Sequence, residues 1–162
     1  MLRSYLRMIV FSAILLMGIQ LPSYVDRYVQ TVEAHYQEAK QAISEFQDEA
    51  NRYFDGSLTA LIRYYDNSND PVFIAGGESI SGLKDRYQTL MLHRKDLDRS
   101  TYWRYRMALL QPLSDIRKEV QSSYNYAVTL NTESIVVGLL LALFFSLLLE
   151  ILLIFFTRVF FK

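Results

Sequence analysis

The sequence predicts an all-α protein: two transmembrane helices carrying an extracytoplasmic antiparallel helical bundle with long, coiled-coil-like helices. Three observations point there. Apolar residues make up 51% of the chain and crowd toward its two ends. The charged, tyrosine-rich middle repeats its apolar residues at steps of three and four, the spacing of one buried helix face. Basic residues stand outside each terminal apolar run, Arg3 and Arg7 at one end and Arg158 and Lys162 at the other.

The late apolar run, Ile135 to Thr157, carries a single charge. As a helix it would be about 34 Å long, enough for a hydrocarbon core of ~30 Å. The early uncharged run, Met8 to Leu21, is short for a span. Tyr5 to Val25 reaches about 31 Å if Arg7 snorkels to the headgroups. The run continues as "GIQLPSYV" with no small-x-small cleavage site, so an uncleaved signal anchor is expected. The positive-inside rule then puts both termini in the cytoplasm and the central domain in the periplasm of a bacterial inner membrane. The expected organisation is a cytoplasmic N-terminus with transmembrane helix 1 (1–23), a helical bundle (24–133), transmembrane helix 2 (134–157) and a basic tail (158–162).

Within the central domain, Val29, Val32, Tyr36, Ala39, Ile43, Phe46, Ala50 and Tyr53 follow a heptad alternation. They predict one long helix over 24–54, stopped by "DG" at 55–56. A short helix with Leu58, Leu61, Ile62 and Tyr65 on one face follows. "DNSNDP" and the "GG" at 76–77 read as loop. Ile80, Leu83, Tyr87, Leu90 or Met91, and Leu97 predict the next helix. Ser100 is the expected N-cap of a last long one, running through Trp103, Met107, Leu110, Leu113, Val120, Tyr124 and Val128 with a kink at Pro112. Asn131 or Thr132 then opens the final span. Two helices of about 45 Å would join the spans, with two shorter elements at the far end.

Glu150, inside "LLLEILLIFF", is the anomaly, because a charge at a bilayer centre costs about 2.5–3.5 kcal/mol on insertion scales. Stepping back by fours gives Ser146, Ala142, Gly138 and Ser134, a row of small residues that lets helix backbones approach. Leu139, Leu140, Phe144, Leu148 and Phe155 fall mostly elsewhere, as a lipid-facing side should. Glu150 is therefore expected in a protein contact, with Ser12 and Arg7 as partners at its depth. Its reading as a packing residue stands beside two others, ion or proton movement in an oligomer and contact with another membrane protein.

Chemistry is thinly represented. The chain has no cysteine, which excludes disulfides and thiolate sites. Of its 17 basic residues, four lie in the flanks, while 16 of its 17 acids lie in the middle, so a nucleic-acid-binding face is not expected. His35 and Glu38 have the spacing of a bundle di-metal motif, but "LHRKD" around His93 supplies no second copy. No phosphate-binding glycine loop, zinc-protease motif or nucleophile elbow is present. No cofactor, metal or catalytic residue is assigned. "YWRYR" offers Tyr102, Arg104, Tyr105 and Arg106 as a surface for a protein or cell-wall polymer; the alternative is an ordinary amphipathic face with Trp103 packed inward.

In order along the chain, "GIQLPSYVDRY", "HYQEAK", "YFDGSLTALIRYY", "DPVF" and the late span resemble a family of small bacterial two-span inner-membrane proteins known only as a domain of unknown function. The resemblance runs over the full length and implies topology and compartment, but no activity. The expected function is non-enzymatic: helix-mediated assembly, as a homo-oligomer or an accessory or scaffold subunit of a membrane complex, in contact with membrane lipids. The competing reading is an oligomeric channel or transporter component using Glu150.

Overall fold

The computed structural model describes residues 2–123 and 132–160, and every regular element in them is a helix. In chain order these are α1 (Leu2–Tyr53), α2 (Leu58–Asp66), α3 (Pro71–Leu97), α4 (Thr101–Leu110), α5 (Ser114–Ser123) and α6 (Thr132–Phe160). The chain divides into two compact units, Met1–Arg27 with Lys118–Lys162, and Tyr28–Arg117.

Local chemistry sets the helix ends. α1 runs through Pro22 without interruption, since one proline removes a single backbone bond, the one to the Gly18 carbonyl. It stops at Tyr53 because Asp55 and Gly56 take positive φ, 49° and 79°, and the Gly56 amide turns back to the Ala50 carbonyl at 3.0 Å. Ser57 caps α2 by accepting the Ala60 amide. Asp70 caps α3 through the Val72 amide at 2.9 Å, with Pro71 in the first turn where no N–H is missed. Ser100 caps α4 through the Trp103 amide, as the sequence predicts.

Three expectations are corrected. The "GG" at 76–77 is not loop but lies inside α3, because the Asp70–Pro71 start signal begins the helix upstream of it. A side chain on Gly77 would stand 3.2 Å from Cβ of Tyr65 and run into the Asp66 carboxylate, so these glycines let α3 approach α2. Pro112 does not kink a long helix; it separates α4 from α5. Gln111 leaves the helical region at φ −134°, ψ 46°, as the residue before a proline is driven to do. The return path is thus three helices, α3, α4 and α5, and not a second ~45 Å rod. Tyr124, Val128, Asn131 and Lys162 lie outside the described residues.

In the unit Tyr28–Arg117, Ile43 of α1, Ile62 of α2 and Ile80 of α3 form a buried cluster that Phe46, Leu58, Tyr65, Leu83 and Tyr87 cover. Each such isoleucine contributes roughly 1.5–3 kcal/mol on burial. The heptad seam is buried at Val32, Tyr36, Ala39, Ile43 and Ala50, but it ends early: Tyr53 is exposed. On α3 the buried residue is Leu90, while Met91 faces out. In the other unit, the early part of α1 and α6 are each long and apolar enough to cross a membrane. Their most apolar windows are only 22% and 11% buried, which is not how the core helices of a water-soluble fold look.

Candidate functional site

The row chosen for its small residues meets α1 at Gly138 and at Glu150. Ser134 and Ala142 are fully buried and Gly138 is buried, Ser146 is half-buried, and Glu150 is exposed. Gly138 meets Gly18: a methyl on Gly18 would stand 2.8 Å from Cα of Gly138. A methyl on Gly138 would stand 2.6 Å from Cγ1 of Ile19 and 3.1 Å from the Leu15 carbonyl oxygen. Backbones that close leave no space for a side chain at either glycine. Leu139, Leu140, Phe144 and Leu148, on other faces of α6, are exposed; the side chain of Phe155 lies outside the described residues.

Arg7 Nη1 lies 3.6 Å from Glu150 Oε1, whereas Ser12 is exposed. From Gly18–Gly138 to Arg7–Glu150 the contact moves eleven residues back along α1 and twelve forward along α6. The two helices are therefore antiparallel and in register over this stretch.

In the other unit, "YWRYR" begins α4. Trp103 is half-buried and held between two guanidinium groups, Arg99 at 4.5 Å and Arg106 at 4.6 Å from the ring centre. Tyr102 beside it is 71% exposed and Leu110, at the end of the helix, 77%. Arg104 and Tyr105 are half-buried. Exposed Tyr102, Trp103 stacked by Arg106 of the helix and by Arg99 just before it, and the exposed leucines at the helix end make a surface rich in the residues that anchor protein contacts.

A polar knot in the same unit escapes the sequence reading. Tyr28 is fully buried and His93 nearly so; the tyrosine hydroxyl lies 2.8 Å from His93 Nε2 and accepts the Leu113 amide at 2.8 Å. The proline break frees that amide. With the imidazole proton on Nδ1, the hydroxyl that accepts this amide can give its own proton to Nε2. Burial pushes the His93 pKa down, against the opposing pull of Asp96. Its position was legible: His93 lies three residues after Leu90 and four before Leu97, and Tyr28 four before Val32. Around it, Arg94 pairs with Glu33 and stacks over Tyr36 at 4.8 Å, and Arg86 pairs with Asp115. The hydrogen bond from Gln37, with Arg94, lowers the Glu33 pKa against the effect of burial. His35 Nδ1 is 3.5 Å from Glu38 on the α1 surface. Among the described residues no three His, Asp or Glu side chains converge as a metal set would.

The family model described as "Protein of unknown function (DUF2937)" matches residues 2–162. No curated protein and no solved structure gives a significant match.

Proposed function

We propose, for a chain that belongs to the DUF2937 family, a non-enzymatic role in a bacterial inner membrane, as an accessory or scaffold subunit that acts by association. In this reading α1 and α6 cross the bilayer as a pair, both termini are cytoplasmic, and the residues between them form a periplasmic helical bundle. Lysine and arginine outside both spans support that orientation. The observation that carries the role is the α4 surface: Tyr102 and Leu110 are exposed beside an arginine-clamped Trp103, a combination a protein partner would cover.

The small-residue row favours the same reading. Gly18 against Gly138 occupies its centre within one chain, so assembly with a further protein falls to other surfaces. Arg7 gives Glu150 a countercharge, which favours packing over a lumen-lining role. A photo-crosslinking residue in place of Tyr102, activated in native membranes, tests the proposal. It should trap one discrete adduct heavier than the 19.0 kDa chain, and mass spectrometry then separates a second copy from a different subunit. Only the uncrosslinked chain, with a crosslinker at exposed Gln30 giving the same result, would overturn it.

A further inference from the structure

An open groove in the unit Tyr28–Arg117, between the later part of α1, the start of α2 and the middle of α3, has a volume of about 530 Å³. That is within the ~300–1,000 Å³ usual for small-molecule sites. We propose that it binds a small organic anion, one acidic group on an apolar body. It shares no residue with the α4 surface and stands independently of the association reading.

Two lysines face the groove, Lys40 from α1 and Lys84 from α3. Neither is ion-paired to a carboxylate among the described residues. Lys84 Nζ donates to Thr59 Oγ1 at 2.9 Å, which holds the ammonium beside the first turn of α2 and leaves two of its three N–H donors for a ligand. Leu58 and Thr59 line the same groove, and their amides find no acceptor among the described residues, so they add donors beside the lysine. This edge is built before any ligand arrives: Gln47 Nε2 grips the Gly56 carbonyl at 2.9 Å and Asn51 Oδ1 at 3.0 Å.

The rest of the lining decides what the anion carries. Ile43, Leu58 and Tyr87 supply apolar surface against which a hydrocarbon or ring can be buried. Asp48 on the α1 side repels a second negative charge, so a monoanion is favoured over a dianion such as phosphate.

The full chain in lipid nanodiscs, titrated with 3-phenylpropionate and followed by saturation-transfer NMR against empty nanodiscs, tests the assignment. The acid should bind, and its neutral amide should bind about tenfold more weakly, the usual scale for losing a charge-assisted hydrogen bond. Lys84→Gln and Lys40→Gln should each weaken the acid by roughly threefold to tenfold with unchanged thermal unfolding, and Lys84→Arg should retain most of the binding. Equal binding of acid and amide overturns the proposal, as does unchanged binding in the Lys40→Gln/Lys84→Gln double variant. So does a signal no larger than that of empty nanodiscs, or inorganic phosphate binding as tightly as the acid.

Discussion

Arg7 Nη1 of α1 lies 3.6 Å from Glu150 Oε1 of α6, eleven residues from the glycine contact that joins the same helices. Both side chains are about half exposed in the isolated chain, so in a bilayer each would face lipid without the other. A pair at that distance shares the desolvation cost and locks the antiparallel register. Glu150→Gln keeps a hydrogen-bonding group of the same size and should leave the helix pair intact. Glu150→Leu should weaken it by about 0.6–2 kcal/mol. Thermal unfolding in nanodiscs measures both, and an Arg7→Ala/Glu150→Ala cycle isolates the pair. Additive single effects would mean that the two charges do not interact.

The contact at Gly138 should be far less tolerant. Gly138→Leu has no rotamer that avoids Ile19 and the Leu15 carbonyl, so the helices must separate. Overpacking usually costs about 1–3 kcal/mol, and a clash with backbone belongs at the upper end. Ser146→Leu, at a half-buried position on the same row, should cost less. Equal tolerance at the two positions would show that the row does not face α1.

Two glycines inside α3 separate packing from propensity. Gly77→Ala places a methyl against Tyr65 and Asp66 of α2 and should destabilise by roughly 1–3 kcal/mol. Gly82→Ala meets nothing within 4 Å and should stabilise by about 0.5–1 kcal/mol through helix propensity alone. Opposite signs in chemical denaturation are the expected result. Stabilisation by both would mean that α3 and α2 are not in close contact at Gly77.

Helical periodicity made the elements legible, since Val32, Tyr36, Ala39, Ile43 and Ala50 repeat at a spacing that only a helix brings to one face. It could not show what happens where tertiary contacts outweigh local signals. Gly76 and Gly77 punctuate loops in most sequences, yet here the capping pair Asp70–Pro71 and the approach of α2 place them inside a helix. Pro112 could kink or break; it breaks because the amide it releases on Leu113 finds the Tyr28 hydroxyl, which offsets the lost helical bond. The small row ending at Glu150 could be read because side-chain size is visible in sequence. Depth in the span also pointed to Arg7 as a partner of Glu150, but the meeting of Gly18 with Gly138 could not be read, because the two are distant in the chain and only folding sets which residues face each other.

The Tyr28–His93 knot gives the unit Tyr28–Arg117 a pH dependence whose sign can be worked out. Burial lowers the His93 pKa in the folded state, so the unfolded chain takes up the proton first as pH falls below the ordinary histidine value of about 6.5. Stability is then full above that value and is lost as pH drops from there toward the folded-state pKa. Asp96 attracts the charged form and trims the effect without reversing it. Protonation also turns Nε2 into a donor, so the Tyr28 hydroxyl can no longer give it a proton. Glu33 and Asp115, whose pKa values are lowered, contribute losses only at more acid pH. Unfolding temperatures recorded from pH 7.5 to 5 should therefore fall for the natural chain. His93→Gln, which can still accept from Tyr28 and does not titrate, should flatten the profile over that window. Tyr28→Phe should cost about 1–3 kcal/mol at neutral pH by stranding the Leu113 amide. An undiminished slope in His93→Gln would place the titrating group elsewhere and remove the knot from the account.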